Sequence, residues 1–298
     1  MSLQTTIDTT FYHYGRLMLR SLLVFMLWLA LSACSSTKIA YQYADWGVVW
    51  WVDDYITLTE MQETQLTRDI QKLRQWHCAN ELPRYQSWLE ELEQDMADGN
   101  VGIREVRHHQ AQLLGFFPPL LRQSSPIAVN LLSSLSDQQV AELARNMADH
   151  QEDLEGKYIA STPEATAEAR AQRTSERIER WLGDLNEEQQ RIVAAWSAKR
   201  GNQTSIWLKG RRNWQEALLE ALSKRDQPGF AERVSELIVD SETLRGDAYE
   251  AMMAESRAAI MVLMHDLIQA GDPTHLAHLK ERAAELNNDF AALACSPA

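Results

Sequence analysis

Glycine and proline are scarce in this sequence: twelve and eight in 298 residues. There is also no convincing run of alternating β-branched residues. A sheet-based fold is therefore excluded, and helix is expected nearly throughout. With only three cysteines, the chain is no disulfide-dense scaffold and has no Cys-rich zinc pattern. No His-Glu-x-x-His, no Gly-x-Ser-x-Gly and no phosphate-cradling glycine loop appears. Basic charge is short as well. Lys and Arg number 29 against 42 Asp and Glu, for a formal charge of −13. That balance argues against nucleic acid as a partner and gives the body no electrostatic hold on anionic lipid. A free membrane span is missing from the N-terminal region. Its apolar run, Leu22 to Ala33, is twelve residues, against the roughly 20 a span needs.

What stands at that end is a targeting segment. Arg16 and Arg20 form a basic region, the apolar run follows, and it ends in Leu31-Ser32-Ala33-Cys34. This order resembles the lipobox of bacterial lipoproteins. The resemblance implies a signal peptide over residues 1–33, cleavage between Ala33 and Cys34, and a covalent lipid on Cys34. Residues 34–40 would be a lipid tether and 41–298 the helical domain. Ser35 follows the cysteine, and the absence of Asp there implies the periplasmic side of the outer membrane. Met18 opens a compact signal by itself and is the alternative translation start. Each buried acyl methylene contributes roughly 0.8 kcal/mol, so several chains anchor without a spanning helix. Cys78 and Cys295 then remain in an oxidising compartment, where an even pair points to a disulfide. Two separate thiols are the alternative. No other cofactor and no metal are expected.

Along the body one device recurs. Leu58-Thr59, Leu135-Ser136 and Leu185-Asn186 each precede a glutamine three residues after the polar residue: Gln62, Gln139 and Gln189. A side-chain oxygen at the cap and a glutamine reaching back make a capping box. A helix from Ile103 to about Phe117 is expected to stop at Pro118-Pro119, with a short piece around 127–134 behind it. Trp196, Trp207, Trp214 and Leu218 read as one face of a long helix, kinked at Gly201-Asn202. Gly271, Asp272 and Pro273 form a sharp stop, cap and restart. The class is all-α: an irregular antiparallel multi-helix bundle behind a signal peptide, with a division into two subbundles near Leu135 an option.

Asp45 to Gln62 is the densest stretch. On a helix, Trp46, Val49, Trp50 and Asp53 share one face and Val48, Trp51, Val52 and Tyr55 the other. Both faces are apolar, so burial as a core peg is the expectation, with a membrane-interface anchor and a ligand platform as rivals. Asp53 and Asp54 would face the negative end of that helix dipole, so a partner is expected, Arg68 or Arg84. His77, Glu81, Arg84 and Tyr85 complete a candidate polar network. Read as chemistry, Asp53, Asp54, His77 and Glu81 would be an acid/base or cation site. Surface positions are expected for His275, His278 and His108-His109, with metal ligation by His275 and His278 together with Glu281 or Glu285 as the alternative for the first pair. Lys209, Arg211 and Arg212 form a basic spot, read as a solvated face or as a site for an acidic partner.

The order Tyr43-x-x-Trp46, Trp50-Trp51-Val52-Asp53-Asp54-Tyr55, Leu58-x-x-x-Gln62, Trp76-His77 and Glu81-Leu82-Pro83-Arg84-Tyr85 resembles an uncharacterised family of proteobacterial lipoproteins, the domain of unknown function DUF6279. Trp207 and Arg211 to Leu218 fit the same pattern. The resemblance implies an outer-membrane lipoprotein of helical fold and supplies no activity. Three readings follow: a non-enzymatic interaction or scaffold protein meeting an unknown envelope protein, a chaperone-like binder, or an enzyme. The chaperone reading leans on the boxes, which are similar to the LTxxQ elements of the small Spy- and CpxP-type periplasmic proteins.

Overall fold

A computed structural model describes residues 36–99, 101–160 and 162–295. The signal peptide, Met18, Ala33 and Cys34 lie outside the described residues. All regular structure among the described residues is helical. The chain clusters into two units, Met1–Tyr43 and Ala44–Ala298. In the first, part of the expected tether is helix α1, Ser36–Gln42.

The described residues of the second unit form thirteen helices. They are α2 Ala44–Asp53, α3 Glu60–Asn80, α4 Leu82–Ala97, α5 Ile103–Leu114, α6 Phe117–Ser133, α7 Asp137–Tyr158 and α8 Pro163–Leu182. Then come α9 Glu187–Ala198, α10 Gln203–Leu222, α11 Phe230–Val239, α12 Ser241–Leu244, α13 Asp247–Gln269 and α14 Pro273–Leu293. This is an irregular, non-repetitive bundle.

The three capping boxes open α3, α7 and α9, with both reciprocal bonds formed in each. Their glutamines also reach across the bundle. Gln62 and Gln139 bond each other through both amides, at 2.7 and 3.2 Å. Gln62 Nε2 donates to the Ser134 carbonyl at 3.0 Å and Gln139 Nε2 to that of Thr57 at 2.9 Å. Gln189, fully buried, donates to the Leu267 carbonyl on α13 at 3.0 Å. A buried amide is tolerated only when its atoms are paired, and here one side chain serves the cap and a neighbouring element together.

Two breaks differ from expectation. Pro118 and Pro119 stand in the first turn of α6, where a missing N–H costs nothing, so they start a 17-residue helix. At 199–202 the chain breaks outright between α9 and α10, with Gly201 at φ +44°. Trp196 therefore packs in a different cluster from Trp214 and Leu218.

The core is divided between two regions that cut across chain order. One joins α2, α3, α6, α7, α10 and α11 around Leu143, Leu222 and Val234. Leu135, where a division is an option, is buried within it. The other joins α4, α8, α9, α13 and α14 around Leu89, Val193 and Leu267. Helix α10 also meets α13 closely at Gly210, where an added Cβ would lie 2.4 Å from the Tyr249 ring.

Candidate functional site

The tryptophan-rich helix α2 is not a buried peg. It leans chiefly on α3, and the apolar cluster it joins covers only one stripe: Val48, Val49 and Val52. Trp46, Trp50 and Trp51 remain 66, 61 and 59% exposed. Trp46 and Trp50 stack on each other with centroids 6.4 Å apart. Asp45, at the favourable end of the dipole, is the acid that finds partners. Gln71 donates to it at 2.8 Å and Arg74 lies 3.8 Å away. The Gln71 bond, foremost, holds its carboxyl below the usual range.

Asp53 and Asp54 are exposed and make no ion pair among the described residues, with Arg68, with Arg84 or otherwise. Water screens the helix end, so no partner is demanded there. The expected network therefore loses both aspartates. What remains is compact. Buried Glu81 accepts from Arg84 Nη1 at 2.6 Å, and the Arg84 guanidinium lies over the Phe116 ring at 5.5 Å. His77 Nε2 is 3.2 Å from the Tyr85 hydroxyl. Burial pushes the His77 imidazole down, against the pull of Glu81. Burial and the Glu81 charge push the Tyr85 phenol up. The carboxylate is committed to its arginine. Among the described residues no three His, Cys, Asp or Glu side chains group to hold a metal.

Next to it the structure joins Cys78 to Cys295, with Cα atoms 5.1 Å apart. The Cys295 N–H also donates to the Cys78 carbonyl at 3.1 Å, so the chain end is tied to α3. The four histidines expected at the surface each bond within the fold. His275 is buried and completes the box at Asp272, a correction to the expected surface position. His109 is also buried, 3.0 Å from Asp95. His108 pairs with Glu91 at 2.9 Å. His278 Nδ1 lies 3.1 Å from the Trp181 carbonyl.

Two apolar chambers were not legible in the sequence. The larger, about 670 Å³, lies among α4, α5, α6, α8, α13 and α14. Leu89 and Leu182 are buried at its floor, and exposed Leu113, Phe117 and Trp181 stand at its mouth. The smaller, about 390 Å³, lies where α2 and α3 meet α6, α7, α10 and α11. Neither lining contains a carboxylate. Each contains one arginine, Arg177 in the larger and Arg211 in the smaller. The expected basic spot is thereby divided: Lys209 is exposed, Arg212 pairs with Glu155, and Arg211 turns to the smaller chamber. A seam of core residues gives no periodic signal when it fails to close, which is why both chambers escape a reading of the chain.

Residues 54–250 match the model of a family described as a family of unknown function, DUF6279. No curated protein and no solved structure matches the chain. Among the described residues no helix is long and apolar enough to cross a membrane.

Proposed function

The chain belongs to that family of unknown function, and from this premise we propose that it is a lipid-anchored, non-enzymatic binding protein that holds apolar matter in its body. The lipid sits on Cys34, and the protein works at the periplasmic side of the outer membrane, as the lipobox resemblance and Ser35 suggest. A disulfide between Cys78 and Cys295 suits that oxidising compartment. The exposed tryptophans of α2 suit the bilayer interface, where an indole has one apolar and one polar side. The observation that carries the binding role is the larger chamber, about 670 Å³ of almost wholly apolar lining. Ligand pockets span roughly 300–1,000 Å³ and have this character.

The chaperone-like reading finds less support, because the glutamines of all three boxes are buried and bonded within the bundle. The enzyme reading finds less support too, because Asp53 and Asp54 stand exposed and unpaired while Glu81 is bonded to Arg84.

The test has two parts. The mass of the N-terminal peptide from the membrane-bound protein is expected to show an acylated Cys34, and Cys34→Ser to release the protein from the outer-membrane fraction. A neutral photoactivatable hydrocarbon added to vesicles carrying the full chain is expected to label the α4, α8 and α14 lining. Filling the larger chamber with Met264→Trp, or independently Leu120→Trp, is expected to suppress that labelling. An unmodified Cys34 peptide overturns the anchor. Labelling that ignores both substitutions overturns the binding role.

A further inference from the structure

The smaller chamber carries a more specific reading, which rests on the binding role just proposed. We infer that it is a site for a single-chain amphiphile with an anionic head, carboxylate or phosphate, whose head meets the guanidinium of Arg211. Arg211 is half-buried, and its Nε–H is buried with no acceptor. It makes no ion pair among the described residues, in a chain with an excess of acidic groups. Other arginines differ: Arg212 pairs with Glu155, Arg225 with Asp137 and Arg257 with Glu242. A guanidinium donor taken out of water without an acceptor is an unmet demand. No carboxylate lines the chamber to meet it.

Three other polar donors of the lining, on Ser124, Trp214 and Gln215, are bonded within the fold. Ser124 Oγ donates to the Leu121 carbonyl at 3.0 Å. Trp214 Nε1 donates to that of Leu237 at 2.6 Å and Gln215 Nε2 to that of Met147 at 3.4 Å. Around them Ile127, Leu131, Leu132 and Leu218 present hydrocarbon. The shape of the demand is therefore one anion and one apolar chain. A planar guanidinium suits both carboxylate and phosphate, through two parallel N–H donors. A volume of about 390 Å³ lies low in the range of ligand pockets and suits one chain. Trp51, exposed at the edge of the chamber, offers the amphipathic rim that an entering amphiphile would cross. The larger chamber makes a weaker case for a head group, because Arg177 is exposed and water satisfies it.

The test uses the full chain in membrane vesicles and three probes with one palmitoyl-length chain and a diazirine near the methyl end. The heads are a carboxylate, a phosphate monoester and a neutral alcohol. At least one anionic probe is expected to label α6, α10 or α11 residues of this chamber, and the arm that labels separates a fatty acid from a lysophosphatidate-like source. Arg211→Gln is expected to weaken that labelling roughly tenfold, about 1.4 kcal/mol, without changing labelling by the alcohol. Arg211→Lys is expected to restore part of it. Ala128→Phe, which fills the chamber, is expected to reduce labelling by every probe, with circular dichroism reporting that each variant is folded. Equal labelling by the alcohol and the anions, or indifference to Arg211→Gln, overturns the assignment of the head to Arg211 and leaves the binding role standing. Labelling confined to the larger chamber also overturns this site alone. Labelling of neither chamber by any probe overturns both readings.

Discussion

Replacing Gln62 by leucine tests whether the capping boxes tie the bundle together. The side chain accepts from the Thr59 N–H at 3.0 Å, donates to the Ser134 carbonyl at 3.0 Å and exchanges two bonds with Gln139. Leucine fills a similar volume and supplies none of these. Each net bond is worth about 0.5–1.5 kcal/mol, and a partner left unsatisfied in the interior raises the cost. Allowing for the gain from a buried apolar side chain, Gln62→Leu should cost about 2–3 kcal/mol. That is a large part of a total stability on the order of 5–15 kcal/mol. Once Gln62 is gone, Gln139 has already lost its partner, so Gln62→Leu with Gln139→Leu should cost at least about 1 kcal/mol less than the two singles added. Equilibrium urea unfolding of the full chain, followed by far-UV circular dichroism, measures all four forms. A single cost below about 0.5 kcal/mol, or additivity within about 0.5 kcal/mol, would refute the argument that these amides act as a joint.

Gly210→Ala should destabilise the bundle by roughly 1–3 kcal/mol, because its Cβ would stand 2.4 Å from the Tyr249 ring; a thermal melt unchanged from wild type would contradict this. Removing both Cys78 and Cys295 by alanine should cost about 2–5 kcal/mol, since the bridge spans 217 positions of chain, and a thiol assay on the unfolded wild-type protein should detect neither cysteine as free. Asp53→Asn and Asp54→Asn should each shift stability by less than about 0.5 kcal/mol, as exposed residues without partners do; a larger loss in urea unfolding would mean that a partner exists. Bonds from Thr274 and then His275 hold the Asp272 carboxyl at about 2, below its ordinary 3.8. Its contribution is complete above the unfolded value and lost as pH falls through about 2. Asp272→Asn should therefore flatten the acid limb of the stability profile between those values, and an unchanged limb would show that the cap does not act this way.

Much of the architecture is local and was therefore written in the chain. Helix starts are decided by a few neighbouring residues, and the boxes at Thr59, Ser136 and Asn186 and the Asp272-Pro273 start all form as their spacing implies. The scarcity of helix breakers settled the all-α class for the same reason. Prolines were harder to read, because Pro118 and Pro119 end one helix in a linear reading but sit equally well in the first turn of the next.

Tertiary structure alone decided what each apolar or charged group meets. The α2 tryptophans carry a core-like pattern, yet α2 has one chief neighbour, and a single helix cannot cover two faces. Asp53 and Asp54 resemble members of a site, yet the end of α2 leaves them in water, and Asp45 takes the partnered role. The box glutamines declare a cap in sequence, but their second bonds join residues more than seventy positions apart. Arg211 reads as one more charge in a basic spot. Only the meeting of α2, α3, α6, α7, α10 and α11 places it against an unfilled apolar space with a buried N–H unanswered. Caps are set by neighbours along the chain, whereas burial, pairing and cavities depend on which distant helices close over a residue and which do not.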